Sequence, residues 1–273
     1  MKRMPEALTC SADIVRDITP EEVWDSIREK EEYILVDVRT PAEYEEEHLP
    51  GARLIPLNEL DRRYSELERQ KKIITYCRSG RRSLGGAILL CNHEFKELYN
   101  MRGGIMNWPY ETVKGPPEEA QEFFKEIKEI KELLLFALQM EKASKTFYHQ
   151  AAESLEEKEL IDLLKRLSQA EGKHMELLYT ELKEVWPQAP PLQGMKESEF
   201  MEGAISLPQS LLAVEEEPPK EKIDVLELAL EKECKAYDLY QRMADTVEPP
   251  LRESFRNLAK QERGHIDELS RLL

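Results

Sequence analysis

An internal repeat constrains this chain more than any other feature of its sequence. Residues 137–152 align with 229–244 at an offset of 92, which places Glu141 over Glu233 and Tyr148 over Tyr240. Glu171-Gly172-Lys173-His174 then aligns with Glu262-Arg263-Gly264-His265 at an offset of 91. Apolar residues recur every three to four positions through 123–152, 160–185, 223–244 and 251–272, the period of amphipathic helices. The connection spanning 186–221 is long and proline-rich, whereas the other two are short. The pattern predicts two helical hairpins joined by one crossover, an all-α four-helix bundle.

Each repeat offers a lone Glu on its first helix and a Glu-x-x-His on its second. Residues three apart on a helix share a face, so each hairpin presents two carboxylates and an imidazole together. Two hairpins give four carboxylates and two imidazoles, the donor set of di-iron and di-manganese bundles. Four carboxylates buried together are prohibitively costly without cations, and two divalent metals balance them. A single Glu-x-x-His carries little weight, because glutamate fills 45 of 273 positions and the five histidines should produce about one match by chance. Glu45 and His48 form such an accident, with no duplicate. Repetition alongside Glu141 and Glu233 lifts Glu171/His174 and Glu262/His265 above that background. Gly172 and Gly264 lie inside helices at a cost of about 1 kcal/mol each, and close helix approach is the expected reason.

The first part of the chain has another character. Residues 1–115 carry 18 basic and 21 acidic residues and seven of the 11 glycines; residues 116–273 carry 21 and 34. The respective sums of −3 and −13 assign the acidity to the helical part. Thr19-Pro20-Glu21-Glu22 reads as a capping box opening a helix. The short apolar runs 33–38 and 73–77 read as buried parallel strands. An α/β domain over 11–114, a linker over 115–122 and the helical domain over 123–273 are expected.

Cys77-Arg78-Ser79-Gly80-Arg81-Arg82 follows the second of those strands and precedes an apolar segment, 84–91, that reads as a helix. Backbone N–H groups and a positive helix end would surround the sulfur. With the nearby arginines, Arg78 and Arg82 among them, they would favour the nucleophilic thiolate. Cys91 lies on the apolar helix and reads as a core residue, and His48 as a structural hydrogen-bonding residue.

Over 14–110 the sequence resembles a rhodanese-like sulfurtransferase domain. The matching features are Asp37-Val38-Arg39, Glu43-Tyr44 leading to His48-Leu49-Pro50-Gly51-Ala52 and Ile55-Pro56, the C-x-x-G-x-R loop, and Gly103-Gly104 followed by Trp108. The resemblance implies that Cys77 takes a sulfane sulfur from a small-molecule donor and passes it to a thiol or cyanide. Gly80 would permit the turn, Arg82 would fix the loop or the anion, and Asp37 and Arg39 would be mainly structural. Over 123–273 the sequence resembles the rubrerythrin branch of ferritin-like proteins. That resemblance implies two iron ions, or manganese, held by Glu141, Glu171, His174, Glu233, Glu262 and His265, with Tyr148 and Tyr240 hydrogen-bonded to carboxylates. It also implies reaction with peroxide or oxygen and a homodimer, while an external electron donor is expected because the chain departs from the family in its cysteines. Two departures stand out: Ala236 occupies the position of a further Glu ligand, and four scattered cysteines cannot build a rubredoxin-type iron site.

The expectation is a bifunctional protein, a persulfide sulfurtransferase joined to a di-iron carboxylate enzyme. The alternative is a sulfurtransferase whose bundle binds or senses iron, or dimerises, without redox turnover. A net charge of −16 argues against nucleic acid. No apolar run reaches the roughly 18 residues that cross a bilayer, and no signal peptide is read at the N-terminus. A soluble, cytoplasmic protein without a membrane partner is therefore expected, and the scattered cysteines predict neither a disulfide framework nor a Cys-ligated metal.

Overall fold

The computed structural model describes residues 14–29, 32–115, 129–153, 155–198, 200–201, 205–208, 210 and 222–273. It divides into two compact units, Met1–Gly115 and Pro116–Leu273.

The first unit is built on a five-stranded sheet. β1 (Arg16–Ile18), β2 (Tyr33–Asp37), β3 (Arg53–Leu54), β4 (Lys72–Tyr76) and β5 (Leu98–Met101) take the order β1-β5-β4-β2-β3, and every pairing is parallel. β2 and β4 are the two strands expected from their apolar runs. β1, β3 and β5 are too short or too mixed in polarity to have been read from pattern alone. Between the strands lie α1 (Pro20–Arg28), α2 (Pro41–Glu46), α3 (Leu57–Arg63) and α4 (Arg81–Asn92). Val36, Val38, Ile55, Leu60, Ile73, Ala87, Leu90 and Leu98 are buried together between sheet and helices.

α1 begins at the capping box read from the sequence: Glu22 N donates to Thr19 Oγ1 at 3.2 Å and Thr19 N donates to Glu22 Oε2 at 2.8 Å. The same Thr-Pro-x-Glu signature recurs at Thr40-Pro41-Ala42-Glu43 and opens α2, with Thr40 N donating to Glu43 Oε2 at 3.1 Å. α4 starts at Arg81, three residues before the apolar segment that marked it in the sequence, because the polar end of the cysteine loop already winds as its first turn. Cys91 is 8% exposed and disulfide-bonded, which corrects the expectation of a chain without disulfides.

The second unit contains α5 (Ile130–Glu153), α6 (Lys158–Val185), α7 (Lys222–Thr246) and α8 (Leu251–Ser270). The extensive packing is α5 on α6 and α7 on α8, the two hairpins of the repeat. Leu134, Ala137, Leu138, Leu178, Leu182, Phe255, Leu258 and Ile266 are fully buried along the apolar stripes. The expected helix start at 123 and the linker beyond Gly115 lie outside the described residues. The crossover is not merely a connection. It carries a short antiparallel pair, β6 (Phe200–Met201) with β7 (Ile205–Ser206), and follows α5, where Ser198 N donates to Gln139 O at 3.1 Å and Thr146 Oγ1 to Glu197 Oε2 at 2.8 Å. Among the described residues no helix is long and apolar enough to cross a membrane.

The helical glycines do not mark close helix approach. A Cβ at Gly264 would meet nothing within 4 Å, and one at Gly172 would meet only the flexible end of Lys145, at 3.3 Å. Thr40→Ala removes the side-chain half of the α2 capping box and should lower stability by about 1 kcal/mol. A lower denaturant midpoint at unchanged slope would register it.

Candidate catalytic loop and candidate metal centre

β4 is flanked by β2 and β5, so the residue after it leaves the carboxyl edge of the sheet near its middle, where open parallel sheets place ligands. That residue is Cys77, 1% exposed. Gly80, at φ +87°, turns the chain back into α4, so Gly80 N donates to Cys77 Sγ at 3.2 Å. Ser83 Oγ lies 3.5 Å from the same sulfur and is held by Asn100 Oδ1 at 2.6 Å. Burial pushes the thiol up, but the hydrogen bonds from the Ser83 side chain and from the amides of Ser83, Ser79 and Gly80 outweigh it. The net shift is downward, toward thiolate at neutral pH.

The loop rests on the Gly103-Gly104 turn. Ile105 N donates to Cys77 O at 2.9 Å and Met106 N to Arg78 O at 3.1 Å. Gly104 has φ +62°, and a Cβ there would lie 2.2 Å from Cys77 O, so only glycine allows the two backbones this close. Arg78 and Arg81 are exposed. Arg82 forks onto Glu43, with Nη1 2.9 Å from Oε2 and Nη2 2.6 Å from Oε1. The guanidinium hydrogen bond holds the Glu43 carboxyl at about 2, well below the usual carboxylate value. His48 is fully buried, with Nδ1 2.8 Å from Tyr44 O, and Asp37 and Arg39 form a buried ion pair at 2.7 Å.

In the bundle, Glu141 on α5, Glu171 and His174 on α6, Glu233 on α7 and Glu262 on α8 are at most 1% exposed, and the His265 side chain is 14% exposed. Three carboxylates from three helices surround one nitrogen: Glu171 Oε2, Glu262 Oε1 and Glu141 Oε2 lie 3.0, 3.1 and 3.3 Å from His174 Nδ1. One ring N–H cannot satisfy three carboxylates. Among the described residues Glu171 Oε2 and Glu262 Oε1 are buried without an aligned hydrogen-bond partner. His265 Nδ1 lies 3.0 Å from both Glu233 Oε2 and Glu262 Oε2. The two imidazoles stack with centroids 5.6 Å apart.

Donor atoms of Glu141, Glu171, His174 and Glu262 fall within 4.8 Å of one another, as do those of Glu233, Glu262 and His265. Oxygen and imidazole donors aimed inward without enough protons to share fit divalent iron or manganese. The tyrosines cross between hairpins: the Tyr148 hydroxyl on α5 donates to Glu233 Oε1, and the Tyr240 hydroxyl on α7 donates to Glu141 Oε1. Burial pushes Tyr148 well above its ordinary value, so it stays a donor.

Three neighbours of these sites carried no role in the sequence reading. Glu43 holds Arg82, and the repeated Thr-Pro-x-Glu signature marks it as a helix start only. Ser83 touches the thiol from one turn into α4. Lys232 is 2% exposed, with Nζ 2.9 Å from Glu171 Oε1 and 3.4 Å from Glu233 Oε1. At the offset of 92 its counterpart is Met140, one of many differences between the repeats, so the sequence did not single it out.

Gly104→Ala should cost more than about 1 kcal/mol, because both φ and space are wrong for a side chain, and thermal unfolding would show it. A carboxyl whose folded value is depressed adds stability above its unfolded value, near 4.5, and loses it as the pH falls toward about 2. In Arg82→Ala the Glu43 carboxyl should therefore titrate closer to 4.5, as followed by carbon NMR.

A family model described as the rhodanese-like domain matches residues 19–111, and one described as rubrerythrin matches residues 224–273. Over 95 residues the chain is 34% identical to a sulfurtransferase of Allochromatium vinosum, covering 35% of this chain and 89% of that protein. It is 30% identical over 93 residues to the thiosulfate sulfurtransferase GlpE of Coxiella burnetii, covering 34% of this chain and 86% of that one. An uncharacterized protein, YqhL of Bacillus subtilis, is 37% identical over 95 residues, 35% of this chain and 73% of that one. The rubrerythrin match spans α7 and α8, so the first hairpin is tied to it through the internal repeat and the shared carboxylate cluster. By these matches and by its parallel sheet, the chain belongs to the rhodanese-like family in its first unit, and the second hairpin of its second unit, over 224–273, matches rubrerythrin.

Proposed function

We propose that this protein is a bifunctional enzyme, a Cys77 persulfide sulfurtransferase coupled in one chain to a di-metal carboxylate centre that reduces peroxide or reacts with oxygen. The observation that supports the first half best is the hydrogen-bond cradle around Cys77 Sγ. The thiolate attacks the outer sulfur of a donor such as thiosulfate; a Cys77 S–S bond forms as the donor S–S bond breaks, and sulfite leaves with the electron pair. A thiolate or cyanide then attacks the outer sulfur and returns the electron pair to Cys77. The loop amides and Ser83 bear the negative charge at both stages. Gly80 and the Gly103-Gly104 turn keep those amides aimed, Arg82 is held by Glu43, and Arg78 meets the anion at the exposed rim. Burial of the thiol favours slender donors.

For the second half, the three carboxylates around His174 Nδ1 carry the reading. Glu141, Glu171, His174, Glu233, Glu262 and His265 would hold two iron ions, or manganese, which when bound supply two electrons to a peroxide or to oxygen. Tyr148 and Tyr240 orient Glu233 and Glu141 through their hydroxyls and keep each carboxylate turned inward. The buried leucines and phenylalanines around the cluster exclude water. Electrons come from an external donor, since four cysteines placed as these are build no iron–sulfur relay. A homodimer in the cytoplasm remains part of the proposal.

Cys77→Ser should abolish release of thiocyanate from thiosulfate and cyanide, while retention of that activity would refute the assignment. Ser83→Ala should move the pH profile of Cys77 alkylation upward, since it removes the strongest of the groups that lower the thiol. Elemental analysis of anaerobically purified protein should find about two metal ions per chain, lost in the Glu141→Ala, Glu233→Ala double variant. Rapid mixing of the reduced protein with hydrogen peroxide should oxidise the centre. A loaded centre that stays reduced would favour the alternative, an iron-binding or dimerising bundle.

A further inference from the structure

Lys232 makes the two halves of the carboxylate cluster inequivalent. In the first hairpin the position before the ligand-type Glu141 is Met140, 1% exposed; in the second hairpin the position before Glu233 is a lysine buried to 2%. A lysine is almost never buried this deeply unless paired. Its Nζ lies 2.9 Å from Glu171 Oε1, 3.4 Å from Glu233 Oε1 and 4.8 Å above the centre of the Tyr148 ring.

The consequence falls on the carboxylates that face both histidines. Glu262 serves both groups, placing Oε1 3.1 Å from His174 and Oε2 3.0 Å from His265. Its counterpart in the repeat is Glu171, which should do likewise. Glu171 Oε2 faces His174 at 3.0 Å, but its other oxygen faces the ammonium. The group around His174 therefore has four donor residues, whereas the group around His265 has three, Glu233, Glu262 and His265. A positive charge already holds the oxygen that would complete the smaller group and contacts Glu233 within it.

We propose that Lys232 is a built-in cation that makes the two metal positions unequal. The four-donor group fills first, and the three-donor group takes its divalent ion only when the ammonium gives up Glu171 and Glu233. Before loading, the same ammonium offsets part of the buried carboxylate charge and so holds the metal-free bundle together. This inference rests on the di-metal reading above.

Calorimetric titration of cobalt(II) into the metal-free full-length protein should resolve a tight step and a weaker one. In Lys232→Met, which carries the residue found in the other hairpin, the weaker step should tighten and the ratio of the two affinities shrink by about 10-fold or more, since one unit charge 2.9 and 3.4 Å from two ligand carboxylates is removed. The metal-free variant should also melt below the metal-free wild type, with the difference reduced or reversed after cobalt loading. Lys232→Gln keeps a polar side chain without the charge and should reproduce the narrowed ratio if Lys232→Met does not fold. An unchanged affinity ratio in the variants, or two equal sites in the wild type, overturns the role of Lys232 and leaves the di-metal reading standing. Zero cobalt bound by wild type and variants alike overturns both.

Discussion

Charge buried without enough partners is the constraint on which the helical half depends. Glu141, Glu171, Glu233 and Glu262 are removed from water by four helices whose other buried positions are mostly apolar. Carboxylates in such a place need cations, because neither protein dipoles nor one another's oxygens can replace hydration. His174, His265, Lys232 and the two tyrosine hydroxyls supply protons and positive charge in part, and the misaligned oxygens of Glu171 and Glu262 show where that supply falls short. Burial alone would raise the Glu171 carboxyl, yet the Lys232 ammonium and then His174 hold it below its ordinary value. Glu171 and, through Lys232 and His265, Glu233 are thus favoured as carboxylates, a state suited to divalent metals.

The rhodanese-like half solves a related problem on a smaller scale. The Cys77 sulfur is nearly fully buried, and the groups that lower its thiol most are the Ser83 side chain and the amides of Ser83, Ser79 and Gly80. Arg82 forks onto Glu43 and also faces the thiol, since both the Glu43 carboxylate and, more weakly, the Cys77 sulfur raise its guanidinium. The close seating of the Gly103-Gly104 turn under Cys77 and Arg78 is what keeps the amides in place. A side chain at Gly104 would push the loop away from the strand that bears it.

Both families were legible in the sequence because their chemistry is written in short, ordered motifs. The cysteine loop, the His48-to-Ala52 segment and the Gly103-Gly104 turn appear in order, and the Glu and Glu-x-x-His elements appear twice. Strands β1, β3 and β5 were less legible: with two to four residues each, they have no periodicity to read, and pairing with a neighbour is what makes them strands. The meaning of Gly172 and Gly264 was misread, since a glycine within a helix implies space only when a neighbour is there to occupy it. The disulfide at Cys91 was missed for a similar reason, as spacing along a chain says little about which sulfurs meet.

By itself the sequence determined the two-part organisation, the place of Cys77 at a strand end and the shared helix faces of the six candidate metal-ligating side chains, because periodicity and spacing put residues on faces and at strand ends whatever the packing. Tertiary structure decided how those side chains are coordinated with one another. Tyr148 reaches Glu233 and Tyr240 reaches Glu141 across the hairpins, Glu43 captures Arg82 over a separation of 39 residues, and Lys232 enters the carboxylate cluster from a position that holds Met140 in the other hairpin. Each of these contacts joins separate elements, and which long side chain fills the space between packed helices depends on packing and charge that no local pattern records.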